Sequence, residues 1–63
     1  MNKKDSVTKL LKKNTDGLTI MELSRILRIS RNTVAVALAE LRGADLIRIR
    51  AVGMARLNYW KGE

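Results

Sequence analysis

Cations dominate the side chains of this chain that could bind a ligand. Lysine and arginine number 13 against six aspartates and glutamates, which gives a formal charge of +7 on 63 residues. Arg48, Arg50 and Arg56 follow one another with no acidic residue among them. Guanidinium groups bind phosphate oxygens strongly, so this segment favours contact with a polyanion such as nucleic acid. The alternative is that these arginines only keep an exposed strand face solvated.

Catalytic groups are few, because the chain contains neither histidine nor cysteine. The common zinc ligands, the imidazole of acid–base catalysis and the thiol of nucleophilic catalysis are therefore missing. A chain this short also buries only about 60% of the surface that its unfolded form exposes, which leaves little room for a catalytic cleft. We expect no enzyme activity, no metal, no cofactor and no small-molecule site.

The composition is typical of one folded domain over residues 1–63. Hydrophobic residues make up 46% of the sequence and proline is absent, which favours a mostly helical domain over a disordered basic tail. No segment reaches the roughly 18 uninterrupted apolar residues of a membrane span. Charged residues between Asp5 and Lys13 stand where a signal peptide would need its apolar stretch. We expect a cytoplasmic protein without a membrane partner.

Two amphipathic helices are predicted in the first half of the chain. The first covers about residues 3–14, where three apolar residues share one face at helical spacing: Val7, Leu10 and Leu11. A turn at Asn14–Gly17 follows it. Thr19 and Glu22 then match a capping box, which predicts a second helix at about residues 20–27. Its expected buried face consists of Ile20, Leu23, Ile26 and Leu27.

A third helix is predicted at about residues 31–44, after a three-residue turn at Arg28–Ser30 with Ile29 pointing inward. Ser30 is the expected N-cap, and Gly43 and Asp45 mark the end of the helix. Its expected buried stripe consists of Val34, Leu38 and Leu41.

Beyond Leu46 the apolar residues recur at every second position, which is the spacing of a strand and not that of a helix. We predict a hairpin with strands at about residues 46–51 and 56–60, joined by a turn at Val52–Ala55. The isoleucines of the first strand should face the core, and its arginines should lie on the open face. Of the two aromatic residues, we expect Tyr59 to face the core and Trp60 to pack at an edge or against a partner.

Two helices joined by a three-residue turn and followed by a hairpin form the order of a winged helix-turn-helix. The segment Leu23–Val34 resembles the helix-turn-helix of bacterial and archaeal winged-helix transcription regulators, and Asp45–Ile47 resembles their exit into the wing. Arg31–Ala35 and Gly53–Leu57 are also similar to small archaeal regulator domains, some of which are joined to sensor domains. The resemblance spans about residues 7–60. It implies a mainly α fold with a small β-hairpin, namely a three-helix winged helix-turn-helix.

The resemblance also implies which residues contact DNA. In such regulators the third helix, the recognition helix, meets base edges in the major groove, and the wing contacts phosphate or the minor groove. The matching positions in this chain are Ser30, Arg31, Asn32, Thr33, Arg48, Arg50 and Arg56. Their chemistry is suitable, because arginine can read guanine, asparagine can read adenine and hydroxyl groups can bond phosphate.

Two places depart from the pattern of these regulators. Arg28 stands in the turn where glycine is usual, so we expect a positive φ with some strain. The middle of the third helix carries Val36, Ala37 and Ala39 where polar residues are usual. We expect these residues on or beside the exposed face, where they offer methyl groups and few hydrogen-bond donors to bases.

Three functions are compatible with these features. The first is sequence-dependent binding of double-stranded DNA in transcription by a homodimer, because a single such module buries only about 600–1,000 Å² on DNA. The second is a winged helix that binds another protein through its apolar Val36, Ala37 and Ala39 stripe. The third is an architectural DNA binder without base preference, which the charge fits equally well.

Overall fold

The computed structural model describes residues 3–61, which form three helices followed by a two-stranded antiparallel sheet. The elements are α1 (Lys3–Lys13), α2 (Ile20–Leu27), α3 (Arg31–Gly43), β1 (Ile47–Val52) and β2 (Ala55–Trp60). Every helix and strand end lies within one residue of its predicted position. The mainly helical fold with a hairpin is confirmed, and it is compatible with a winged helix.

Local side-chain hydrogen bonds set the starts of α2 and α3. The predicted capping box is present: the Thr19 hydroxyl accepts from the Glu22 amide at 3.1 Å, and the Glu22 carboxylate accepts from the Thr19 amide at 2.9 Å. The predicted N-cap Ser30 accepts from the Thr33 amide at 3.0 Å. Each bond satisfies an amide that the first helical turn would leave unpaired, so the sequence itself fixes where both helices begin.

One face of each helix, Leu18 of the linker between α1 and α2, and the first residue of β1 form the core. The buried apolar residues are Val7, Leu11, Leu18, Leu23, Val34, Ala37, Leu38, Leu41 and Ile47. The prediction that Ala37 lies at the surface is wrong, because Ala37 follows Val34 by three positions and precedes Leu41 by four, which places it in the same stripe. The prediction that Ile26 lies on the buried face of α2 is also wrong. Ile20 and Leu27, on one flank of Leu23, pack against the core, and Ile26 on the other flank remains 53% exposed.

The linker between α1 and α2 pairs with the hairpin. The Leu18 amide donates to the Asn58 carbonyl at 3.0 Å, and the Asn58 amide donates to the Leu18 carbonyl at 2.8 Å. The Asn58 side-chain amide also donates to the Leu18 carbonyl at 3.0 Å, and Asn58 is only 3% exposed. These bonds join residues 40 positions apart and hold β2 against the helical part of the chain.

The hairpin closes through Gly53 and Met54, because Val52 pairs directly with Ala55. Gly53 has a φ of 61°, and Met54 is not among the residues with positive φ. A positive φ at the first central residue alone is the pattern of a type II′ turn, which favours glycine at that place. The turn is therefore two residues shorter than predicted, and both strands reach one residue further toward the tip.

The register reverses the predicted orientation of the two aromatic residues. Trp60 pairs with the buried Ile47 and packs against the core, whereas Tyr59 pairs with Arg48 on the opposite face. Tyr59 is half-buried there, with its ring close to Gly17. Since neighbouring residues of a strand point to opposite faces, the inward position of Trp60 excludes an inward Tyr59.

Of the glycines within residues 3–61, Gly17 is the one whose replacement should destabilise the fold most. Its φ is +89°, and a β-carbon there would lie 2.8 Å from two atoms of the Tyr59 ring. We expect Gly17→Ala to lower the free energy of unfolding by about 2–3 kcal/mol, because backbone strain and steric overlap both act. Urea denaturation of the variant measures this loss.

Two other glycines serve as matched controls. Gly53 has a φ of +61° but open space around it, so Gly53→Ala should lose only about 1 kcal/mol, from strain alone. Gly43 ends α3, and a β-carbon added there would meet no atom within 4 Å, so Gly43→Ala should stabilise the protein by up to about 1 kcal/mol. Equal losses at Gly17 and Gly53 would contradict a role for the Tyr59 ring.

Candidate nucleic-acid interface

The turn between α2 and α3 has the geometry of a helix-turn-helix. Arg28 closes α2 in the left-handed conformation, with φ 57° and ψ 44°, as expected for an arginine placed where glycine is usual. The Ile29 amide donates to the Ser24 carbonyl at 3.2 Å, and the Ser24 hydroxyl donates to the Ile29 carbonyl at 2.6 Å. Ile29 packs on the core, as predicted. These contacts fix the direction in which α3 leaves the turn.

The start of α3 contains four of the predicted site residues. The hydroxyls of Ser30 and Thr33 lie 2.8 Å apart and bond each other, so both are engaged in capping the helix. Arg31 and Asn32 are exposed, and their side chains make no hydrogen bond within residues 3–61. Arg31 and Asn32 are therefore the two residues of this group that are available to a ligand.

Between its first turn and Arg42 in its last turn, α3 exposes few hydrogen-bond donors. Val36 is 55% exposed, and Ala39 and Glu40 are exposed as well. Val36 and Ala39 of the predicted apolar stripe thus lie at the surface, while Ala37 belongs to the core. Glu40 adds a negative charge that would repel phosphate. Base-reading chemistry on this helix is limited to its N-terminal end.

The three wing arginines lie on two different faces of the hairpin. Arg48 pairs with Tyr59 and Arg50 pairs with Leu57, whereas Arg56 pairs with Ala51. Directly paired residues share a face, and faces alternate along each strand. Arg48 and Arg50 therefore share the outer face, and Arg56 lies on the inner face, toward α3. The residues predicted as one wing site are divided between two surfaces.

Arg56 lies on the same side of the molecule as α3. It lines a groove with Arg31, between the starts of α2 and α3 and the tip of the wing. It also lines an adjoining groove with Arg42 and with Ala35 and Ala39 of α3. We term Arg31, Arg42 and Arg56 the inner surface. These three guanidinium groups border the side of α3 that faces the wing.

Three cations near α3 are not among the site residues predicted from the sequence. Arg42 follows Arg31 by eleven residues, close to three helical turns, and this spacing could have indicated that both lie on one side of α3. Lys3 and Lys4 line a groove with Asn32 and Thr33 on the other side of α3. No local pattern points to that groove, because the packing of α1 on α3 creates it.

The outer face of the hairpin carries a second cluster. A shallow cleft there is lined by Arg48, Arg50, Tyr59, Trp60 and Lys61. Lys61 donates a hydrogen bond to the Asp45 carboxylate at 2.5 Å. This hydrogen bond lowers the pKa of Asp45 below its usual value, and the positive charges of Lys61 and Arg48 act in the same direction. The Lys12 ammonium lies 4.9 Å from the centre of the Trp60 ring. We term Arg48, Arg50, Tyr59 and Lys61 the outer surface.

Comparisons with models of known protein families, with curated proteins and with solved structures found no match for this chain. Within residues 3–61, no helix has the length and apolar character needed to cross a membrane. The same residues contain no group of three or more histidine, cysteine or acidic side chains that could hold a metal ion. A function is therefore inferred from the geometry and charge of the described residues.

Proposed function

We propose that this chain is a cytoplasmic DNA-binding domain of a transcription regulator, with α3 in the major groove of a duplex and Arg56 on the neighbouring backbone. The observation that carries the proposal is the placement of Arg31, Arg42 and Arg56 along the side of α3 that faces the wing. The major groove of duplex DNA admits an α-helix, and arginine is well suited to both phosphate and guanine.

The roles of the inner residues follow from their positions. Arg31 and Asn32 project from the first turn of α3, where a recognition helix presents side chains to base edges. Ser30 and Thr33 support them by fixing the N-terminus of the helix. Arg42 and Arg56, further along the groove, are placed to bind phosphate, which sets position and affinity without reading sequence. One module of this size buries little DNA surface on its own. We therefore propose a homodimer, which would contact two half-sites.

Binding to duplex DNA should weaken steeply with salt. If about four to six phosphates are neutralised, the logarithm of affinity should fall against the logarithm of salt concentration with a slope of roughly −4 to −5. Fluorescence anisotropy over a salt series measures the slope, and Arg56→Gln should make it shallower by about one. A flat response, or no binding at low salt, would reject a DNA-binding function.

The first turn of α3 should carry the sequence preference. Arg31→Ala or Asn32→Ala should cost roughly 1–3 kcal/mol on a preferred duplex, selected from a random library, and much less on unrelated duplexes. Arg56→Ala should weaken binding to all duplexes nearly alike, because a phosphate contact does not depend on the base pair. Equal losses on every duplex from all three variants would support an architectural binder instead.

The exposed side chain of Val36 favours a second candidate function, in which the same helix face packs against another protein or another copy of the chain. Val36 and Ala39 are the apolar residues of α3 left at the surface, and apolar side chains are common at the centre of protein interfaces. The same two residues could instead contact thymine methyl groups in the major groove.

Val36→Lys separates the two candidates. If α3 faces DNA, the variant should fold normally, keep its oligomeric mass and bind duplex DNA more tightly, because lysine is a good helix former and adds a charge near phosphate. If the face is a protein interface, burial of the new charge should weaken the assembly by several kcal/mol. Thermal unfolding, sedimentation and DNA affinity measured on this variant decide between them. Glu40→Gln, which removes a negative charge from the same face of α3, serves as the control for a change of charge alone.

A further inference from the structure

We propose that the outer surface of the hairpin binds the backbone of a second DNA duplex, so that a chain bound to one duplex holds another. This inference rests on the proposed function, because the first duplex occupies the inner surface. It assigns Arg48, Arg50, Tyr59 and Lys61 to a partner that the recognition helix does not contact.

The register of the hairpin places Arg48 and Arg50 on one face and Arg56 on the other. Arg48 and Arg50 lie across from Tyr59 and Leu57, on the opposite face from Arg56. The inner face contains Ile49 and Asn58, which line a groove with α3. A duplex placed along that groove meets Arg56 on its own side of the sheet, while Arg48 and Arg50 point away from it.

The outer surface has the charge to attract a polyanion. Arg48 and Arg50 are two residues apart on one strand face, about 6.6 Å along the strand, so two guanidinium groups follow one another. Neither has an ion pair within residues 3–61. The carboxylate bonded to this surface is that of Asp45, and Lys61 already engages it. Two duplexes repel each other, and cations on both faces of the wing would screen that repulsion.

One side chain of the outer surface, Tyr59, is held in place by packing. The Tyr59 ring packs so closely over Gly17 that a β-carbon there would overlap it, which fixes the ring beside Arg48. Because the Tyr59 ring is already held in one position, a ligand that binds beside it causes a smaller loss of side-chain conformational entropy in the protein. Tyr59 and Trp60 are the aromatic residues that line this cleft, and two neighbouring residues of one strand provide no run of stacking sites of the kind that single strands use, so the backbone of a duplex is the fitting occupant.

A two-step capture assay tests this inference. The protein is loaded on a duplex fixed to beads at about 50 mM salt, where phosphate contacts are strong, and capture of a second, labelled duplex is measured. Arg48→Gln combined with Arg50→Gln should reduce capture roughly tenfold or more while leaving affinity for the first duplex within about threefold. Lys13→Gln combined with Arg25→Gln removes the same charge from exposed helix positions and should leave capture within about threefold.

Each other outcome contradicts the inference in a recognisable way. Retention of the first duplex without capture of a second would overturn this inference and leave the proposed function standing. Undiminished capture by the Arg48 and Arg50 variant would assign bridging to self-association of the chain. An equal loss of affinity for the first duplex would place both arginines on the same DNA as Arg56. Failure to retain any duplex would overturn the proposed function and this inference together.

Discussion

The pairing of Leu18 with Asn58 is the constraint on which the arrangement of the wing depends. Asn58 is buried, and its side-chain amide finds its partner in the Leu18 carbonyl. A buried amide left without a partner would cost about 1–3 kcal/mol, so the inward position of Asn58 is tied to that contact. Alternation along β2 then turns Leu57 and Tyr59 outward. The strand register in turn places Arg48 and Arg50 outward and Arg56 inward.

The helices and their caps could be predicted from the sequence because their determinants are local. Thr19, Glu22 and Ser30 lie within one turn of the amides that they cap, and the stripes of α1 and α3 repeat at helical spacing. The faces of the hairpin could not be predicted in this way. β2 reads Ala-Arg-Leu-Asn-Tyr-Trp, with large apolar or aromatic side chains on both faces, and its most buried residue is a polar one. Hydrophobicity alone therefore assigns the wrong aromatic residue to the core.

In the candidate site, too, some residues could be placed from local sequence and others could not. Arg31 and Asn32 follow directly from the position of the N-cap, and the structure leaves both at the surface. The grouping of Arg56 with Arg31 and Arg42, and its separation from Arg48 and Arg50, depends on a contact between residues 40 positions apart. The prediction for Ala37 fails for a different, local reason. Its spacing from Val34 and Leu41 places it in the buried stripe, but alanine contributes little hydrophobic signal.

The distribution of chemistry over the surface constrains how such a domain could recognise DNA. The exposed donors of α3 are Arg31 and Asn32 in its first turn and Arg42 in its last turn, and Val36, Ala39 and Glu40 lie between them, where a longer base-reading surface would need donors. Affinity for a duplex at the inner surface would then come chiefly from backbone charge, and specificity from few contacts together with DNA shape. A duplex held there would leave the cations of the outer surface unneutralised. The salt dependence of binding to one duplex would thus exclude the outer cations, and their field would act on the next polyanion that approaches.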